Sequence, residues 1–563
     1  MQPVSPDADL LQRIPLSALT ILHVGCGDGG LAAAYRLMNP RARLLGIEAD
    51  PAAATSAARH IHQVATSGVE ADPLPFDLPD GIDCIIYNGI LEHLRDPWSL
   101  IRRHAQALSP DGMMLIRVPN PEHWREAERL LRGLWEDTGA EPRQEAHPRW
   151  FNLNAMRRTL TDAGLSLCDV IPLDQEPDPQ AASRFTDAIA TGLTALGIEP
   201  DSYVRRSAPT HFIWRVRKTP NLRVIVSGNM LAPVGGVSHV RVVHPLHAIG
   251  TDPLLTVGVI NHLDTSQRGD DTARIFVLHR PALTSRQGHE MLRSLMQAGY
   301  LVVTEFDDHP DFFKMMQQGG ELSFRGVHAL QTSTPALAQV LRKYNPEIAV
   351  FPNAVPALPP VRNFADPRAL TLFFGALNRE ACWRPLLPAI NAVASKAGAR
   401  LRLQIVHDQT FFEALETPFK SFTPTCDYDT YLRLLAEAEI SFMPLSDTVF
   451  NRAKSDLKFI EAGACRVASL ASTVVYGDSI EDERTGLLFR DATELHSRLL
   501  RLIATPEMAR DLGDAARAYV SEQRMLAYQV APRIAWYRSL WNRRGVLDAA
   551  LQARMAERPR TVA

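Results

Sequence analysis

The segment Ile21-Leu22-His23-Val24-Gly25-Cys26-Gly27-Asp28-Gly29-Gly30, running straight into Leu31-Ala32-Ala33-Ala34-Tyr35-Arg36-Leu37-Met38, restricts the fold more than any other part of the chain. A short apolar strand meets a glycine turn and then a helix. Glycine permits a tight, partly left-handed backbone, and the helix start offers unpaired N–H groups. A second strand, Leu44-Leu45-Gly46-Ile47, ends in Glu48, where a carboxylate can hold ribose hydroxyls. This is the opening of a nucleotide-cofactor domain of the α/β type.

The spacing by itself leaves the cofactor open. Gly25, Gly27 and Gly30 satisfy a dinucleotide pattern, while Gly25, Gly27 and Gly29 give the tighter form seen with S-adenosylmethionine. The following segments separate the two. Asp83-Cys84-Ile85-Ile86-Tyr87-Asn88 reads as a strand, followed by Gly89-Ile90-Leu91-Glu92-His93-Leu94-Arg95-Asp96-Pro97. Next comes an amphipathic helix with Leu100, Ile101, Ala105 and Leu108 on one side. Leu108-Ser109-Pro110-Asp111-Gly112 then turns into the strand Met113 to Val118. This series resembles class I S-adenosylmethionine-dependent methyltransferases over roughly the first third of the chain. Gly25, Cys26, Gly27, Gly29, Glu48 and Asn88 are the cofactor-side candidates. Glu70 and Asp72 stand where relatives contact adenine, or are exposed loop acids. His93 is a candidate base for a hydroxyl acceptor, since its ordinary pKa lies near working pH; helix capping or core packing is the alternative.

With 563 residues the chain exceeds what one core accommodates, so three or four compact units are expected. A net charge of -3, with no strongly basic half and no Cys/His finger spacing, argues against a nucleic-acid binder. Met1 to Asp7 lacks the basic start and apolar run of a signal peptide, and no stretch reaches the length of a membrane span. Six scattered cysteines without a CxxC read as reduced, mostly buried thiols. A cytoplasmic location is expected, with at most peripheral contact at the inner face of the cell membrane.

Residues 1–218 read as the first domain, ending at Thr219-Pro220. After Asn120 comes a charged helical segment with Trp124, Leu130, Leu131, Leu134 and Trp135. Gln175 to Gln180 is a loop, Ala181 to Leu196 a helical insert, and Leu165 to Leu173 and His211 to Arg217 two closing strands. A second alternation starts at Leu222 to Ser227, followed by the glycine turn Pro233-Val234-Gly235-Gly236. The expected divisions are an N-lobe at 221–356, a proline-rich linker at 357–368, a C-lobe at 369–545 and a tail at 546–563. Two Rossmann-like lobes in sequence suggest a ligand cleft at the carboxyl ends of their strands.

The segment Pro444 to Cys465 carries the chemistry of this half. A helix beginning near Ser455 would point its N–H groups toward a diphosphate. Lys454, Lys458 and Glu461, spaced i, i+4, i+7, would share a stripe, pairing cations for phosphate with a carboxylate for sugar hydroxyls. With Thr485-Gly486-Leu487-Leu488-Phe489 and Phe351-Pro352-Asn353, the region from Leu222 to Trp541 resembles retaining two-lobe (GT-B) glycosyltransferases of the family-four group. The resemblance implies that Glu461 is the second glutamate of a paired-glutamate motif, holding donor ribose; the first glutamate's position is occupied by Ala453. It also implies that Gly235 and Gly236 form the N-lobe glycine loop, and that Arg379 and Ser455 stand on the donor side with Lys454 and Lys458.

Within Glu305-Phe306-Asp307-Asp308-His309, Asp308 is a candidate acceptor-side catalytic group, or the turn is structural. His239 and Arg241 line the cleft or sit on an ordinary amphipathic helix, with His239 taken as a catalytic candidate. No cluster has metal-ligand spacing, so no metal is expected. Arg533 to Arg544 is read as a terminal helix returning across the lobes, in preference to a membrane-surface segment. The combined expectation is an O-methyltransferase fused to a nucleotide-sugar-dependent glycosyltransferase, resembling bacterial polysaccharide or O-antigen assembly proteins and acting on a glycan or lipid-linked saccharide. Two alternatives remain: a methyltransferase-like scaffold beside an active glycosyltransferase, or an active methyltransferase beside a degenerate sugar-binding lobe pair.

Overall fold

The computed structural model describes residues 8–66, 68–70, 73–134, 151–173, 177–218, 224–230, 235–259, 273–284, 286–361 and 368–556. Asp72, Trp135, the loop start Gln175-Glu176, the Thr219-Pro220 boundary, Pro233-Val234 and residues 362–367 of the expected linker lie outside them. By internal contacts the chain divides into two compact units. One comprises Met1–Arg36, Arg41–Leu222 and Thr251–Leu254; the other comprises Leu37–Pro40, Arg223–Gly250 and Leu255–Ala563.

The first unit is built on a seven-stranded sheet. Its strands are β1 (Thr20–Val24), β2 (Arg43–Ile47), β3 (Gln63–Ala65), β4 (Ile82–Asn88), β5 (Leu108–Pro119), β6 (Ser166–Leu173) and β7 (His211–Arg217). Across the sheet they run β3-β2-β1-β4-β5-β7-β6. Strands β3 to β5 are parallel neighbours, while β7 is antiparallel to both β5 and β6. Because β1 and β4 are covered on both faces, they are apolar almost throughout. The helices between them start where the residues dictate. Asp50 accepts from the N–H groups of Ala52 and Ala53 at 2.7 and 2.9 Å, with Pro51 opening Pro51–Ala57. Asp96 and Pro97 do the same for Pro97–Ala107, which buries Leu100, Ile101 and Ala105. The insert Ala181–Ala195 is followed by a further helix, Pro200–Ser207, which the sequence reading did not separate. Trp124–Leu131 is a helix with no buried residue.

The second unit contains two six-stranded parallel sheets. The N-lobe sheet has β8 (Val224–Met230), β9 (Leu255–Val259), β10 (Ala273–His279), β11 (Leu301–Glu305), β12 (Ala329–Thr332) and β13 (Ile348–Val350), ordered β13-β12-β11-β10-β8-β9. The C-lobe sheet has β14 (Leu370–Gly375), β15 (Leu401–Val406), β16 (Lys420–Thr423), β17 (Ile440–Met443), β18 (Ala468–Ser472) and β19 (Leu487–Phe489), ordered β16-β15-β14-β17-β18-β19. Each sheet reverses its winding once, between β8 and β10 and between β14 and β17. Such switch points leave a crevice at the carboxyl ends of the strands.

Two stretches of chain pass between the lobes. Val355 donates its N–H to the Arg524 carbonyl at 2.9 Å, and Leu526 returns a bond to the Val355 carbonyl at 2.8 Å. The start of the proline-rich run is therefore anchored, with Val355 and Leu358 buried in the C-lobe core. Helix Ala527–Asn542 then packs on the N-lobe: Tyr537 donates to Gln331 Oε1 at 2.9 Å, and Arg533 lies 4.0 Å from the centroid of Phe351. The expected tail is corrected as far as Ala556. Residues Arg544–Ala556 form a helix that buries Leu547 and Leu551, and Asp548 meets His328 Nε2 at 3.0 Å. The leucine spacing i, i+4 gives that helix an apolar stripe.

Candidate functional sites

In the first unit the register sets Val24 beside both Ile47 and Tyr87, so the turns that follow converge on one edge. Gly25, Gly27 and Gly29 have φ of 71°, 54° and 83°. A Cβ at Gly29 would lie 2.9 Å from Ala57 Cα, whereas one at Gly27 meets nothing within 4 Å among the described residues. Gly29 is therefore needed for packing, and Gly27 leaves an open backbone edge. The N–H groups of Gly25 and Cys26 donate to the Ile47 carbonyl at 2.8 and 3.2 Å. Cys26 packs its sulfur against Gly46, and burial pushes the thiol up to about 12, so only its backbone serves the turn.

Glu48 Oε2 accepts from the Gly27 N–H at 2.7 Å, and Oε1 accepts from the Asp50 N–H at 3.0 Å. Asn88 ends β4, half-buried on the same edge. Glu70 is differently engaged. Its Oε1 accepts from the Asp96 N–H at 2.8 Å and its carbonyl accepts from Arg103 at 3.0 Å, which ties down the start of the following helix. His93 closes the short turn Leu91–His93 and is half-buried. Its neighbour Glu92, which the sequence reading passed over, is 3% exposed. Glu92 Oε2 has no hydrogen-bond partner among the described residues, and burial raises its pKa against the pull of His93 and Arg117. An acid placed between leucine and histidine in an apolar turn was the available signal. These groups fit an adenosyl ligand: an open glycine edge and a carboxylate for ribose hydroxyls.

In the second unit a cavity of about 470 Å³ lies at the carboxyl ends of both sheets. Helix Leu457–Ala464 supplies Lys458 and Glu461. Lys458 Nζ donates to the Gly375 carbonyl at 2.5 Å and to the Tyr431 hydroxyl at 3.2 Å; burial pulls its pKa down to about 8. Glu461 Oε1 accepts from the Tyr428 hydroxyl at 2.6 Å, and burial raises its pKa against the charge of Lys458. Arg379 lines the same cavity.

Lys454 also faces this cavity but precedes the helix, so it shares no helical stripe with Lys458 and Glu461. The helix starts at Leu457, two residues after the expected start near Ser455, with Asp456 held by Arg524 at 2.8 Å and by Ser479 at 2.6 Å. Lys454 lies 3.6 Å from Asp308, which is 3.8 Å from Arg280. Ala453, at the missing glutamate's position, is buried. Ser455 Oγ accepts from Asn353 Nδ2 at 2.7 Å.

On the N-lobe side, Gly236 lines the cavity and follows Gly235 into a helical turn. His239 stacks on Tyr428 with centroids 5.2 Å apart. Arg241 is buried and donates to both oxygens of Glu305 at 2.9 and 3.0 Å, to the Phe351 carbonyl at 2.7 Å and to Asn353 Oδ1 at 2.8 Å. Glu305 is thus a structural acid. Asp307 and Asp308 both line the cavity; Asp307 is bound by Arg280 at 2.6 Å, and Asp308 lies beside Lys454. No group of three or more His, Cys, Asp or Glu side chains suited to a metal ion is present among the described residues. No helix there is long and apolar enough to cross a membrane.

Residues 7–170 match the family described as methyltransferase domain. The trans-aconitate 2-methyltransferase of Escherichia coli O139:H28 (strain E24377A / ETEC) is 30% identical over 202 residues, covering 35% of this chain and 74% of that protein. The chain belongs to the methyltransferase family. The matched residues hold strands β1 to β5 of the first unit. Over the remainder, the chain is similar in structure to Anabaena HepE in complex with UDP-glucose, at 11% identity and a TM-score of 0.40, covering 56% of this chain and 100% of that one. It is also similar to a Staphylococcus aureus TarM variant in complex with fondaparinux, α-GlcNAc-glycerol and UDP, at 13% identity and a TM-score of 0.37. That match covers 47% of this chain and 55% of TarM, about half its length.

Proposed function

We propose that this methyltransferase-family chain carries two group-transfer activities: methylation of a glycan hydroxyl by its first unit, and transfer of a sugar from a nucleoside-diphosphate sugar by its second. The observation that carries the sugar-transfer reading is half-buried Lys458 and buried Glu461 on one helix, facing a cavity at two sheet switch points. In this reading Lys458 and Arg379 neutralise the donor diphosphate, and the Glu461 carboxylate takes ribose hydroxyls. Asp308, beside Lys454, faces the acceptor hydroxyl. In this reading His239 orients Tyr428 through the ring stack.

In the first unit, S-adenosylmethionine when bound supplies an electrophilic methyl group. The Gly27 edge accommodates that ligand, Glu48 exchanges its bond to Gly27 for ribose hydroxyls, and Asn88 borders the reacting end. His93 accepts the proton of the acceptor hydroxyl, and the rest of the rate comes from orientation. The acceptor is a glycan or lipid-linked saccharide handled in the cytoplasm, and both steps serve one polysaccharide product.

Transfer and hydrolysis assays with UDP-, GDP- and dTDP-sugars, together with calorimetry against S-adenosylmethionine, test both halves. Heat with S-adenosylmethionine and turnover of one donor are expected. Buried Ala453 favours the rival reading, a degenerate sugar-nucleotide-binding lobe pair, for which nucleotide binding would persist without turnover. Absence of S-adenosylmethionine heat would leave the first unit a scaffold.

A further inference from the structure

Tyr428 opens the helix Tyr428–Ala436, whose start is capped by Asp427 accepting from the Thr430 N–H at 2.7 Å. It is 8% exposed and belongs to the cavity wall. Two sets of contacts meet on it. Through its hydroxyl it makes the 2.6 Å bond to Glu461 Oε1, a charge-assisted bond in a buried setting. Through its ring it meets the opposite lobe. A Cβ at Gly236 would lie 2.7 and 2.8 Å from the Tyr428 Cδ2 and Cε2 atoms, closer than real contacts allow. His239 stacks on the ring at 5.2 Å and 29°, while Tyr431 of the same helix lies parallel to it at 6.2 Å and 10°. The ring is thus seated between an N-lobe turn and its own helix, and any side chain at position 236 must displace it.

Lys458 does not orient Glu461 in this way, because its ammonium is directed to the Gly375 carbonyl and to Tyr431. We propose that Tyr428 is a positioning residue of the donor site: its hydroxyl sets the Glu461 carboxylate, and it does so while its ring is seated on the Gly236 turn of the N-lobe. The inference rests on the glycosyltransferase reading above. It gives Gly236 a role transmitted through Tyr428, in addition to leaving room for a ligand. Donor nucleotide affinity then depends on the two lobes being closed on each other.

The test is a double-mutant cycle on the full chain, reading the Kd of UDP, GDP and dTDP by calorimetry. Tyr428→Phe keeps the ring and loses the hydroxyl, and is expected to weaken the bound nucleotide roughly tenfold. Gly236→Ala is expected to weaken it comparably, and the double variant no further than the worse single. In donor turnover, Tyr428→Phe should raise KM for the donor more than it lowers kcat. Unchanged affinity in Tyr428→Phe overturns the proposal, as do losses that multiply in the double variant, which would put Gly236 at the ligand itself. If Gly236→Ala does not fold, Tyr428→Leu provides the arm without a ring, and must bind at least as weakly as Tyr428→Phe. A wild-type chain that binds none of the three nucleotides removes the glycosyltransferase reading and this inference together, an outcome distinct from the others.

Discussion

Glu48 accepts a hydrogen bond from the N–H of Gly27, 2.7 Å away across the turn between β1 and its helix. The carboxylate on one strand end thereby holds the open edge of its neighbour, and under the proposed function it exchanges that bond for a ligand hydroxyl. Glu48→Ala is expected to weaken S-adenosylmethionine by roughly tenfold or more, the worth of a hydrogen bond to a charged group. Glu48→Gln, which keeps an acceptor, should lose less. Calorimetry on both variants is the measurement; equal affinity for all three proteins would remove Glu48 from the site.

Under the proposed function, Lys458 gives nucleotide binding a pH dependence. Burial lowers its pKa to about 8, so nucleotide affinity should fall as pH rises through that value and the ammonium is lost. Folding responds in the opposite sense. Between about pH 8 and the ordinary lysine range the unfolded chain holds a proton that the folded chain has released, so this contribution to stability grows with pH. Titrating UDP binding from neutral to alkaline pH checks the first statement. Lys458→Met should bind weakly throughout and show no such limb.

Arg241 is expected to matter for folding more than for turnover. Truncating it to alanine strands the Glu305 carboxylate, which is 0% exposed, and should cost on the order of 3–5 kcal/mol. Denaturant unfolding of the R241A variant reads the loss; a change under about 1 kcal/mol would contradict the structural assignment.

Glu92 predicts a stabilising substitution. Its folded-state pKa is raised by burial, so the folded chain holds a proton that the unfolded chain gives up, and stability declines as pH rises through that interval. Glu92→Gln removes the ionisable group and should raise the unfolding midpoint at neutral pH while flattening the decline. A lower midpoint at neutral pH would mean that the ionised form is needed where it stands.

Much of the architecture was legible from local pattern. The glycine turn, Glu48 and the strand Ile82–Asn88 are contiguous signals within one winding of chain, and the sheet aligns them without help from distant residues. The short strands Gln63–Ala65, Leu255–Val259, Ala329–Thr332 and Lys420–Thr423 escaped, since runs of so few residues carry too little periodicity. The helix Arg544–Ala556 was missed because its stripe is only two leucines, Leu547 and Leu551. Tyr428 was the larger omission. It lies far in sequence from both Gly236 and Glu461, and only folding of both lobes brings the three together. Arg241 shows the converse: its helix pattern was readable, but its four bonds join segments that no spacing rule connects.

The paired backbone bonds between Val355 and the Arg524–Leu526 stretch have a mechanical consequence. Two strands of polypeptide fastened side by side behave as a door hung on two pins, free to swing about one line and stiff against twisting. The helices Ala527–Asn542 and Arg544–Ala556 ride on the N-lobe leaf, so opening this door moves them along with the turn bearing Gly236.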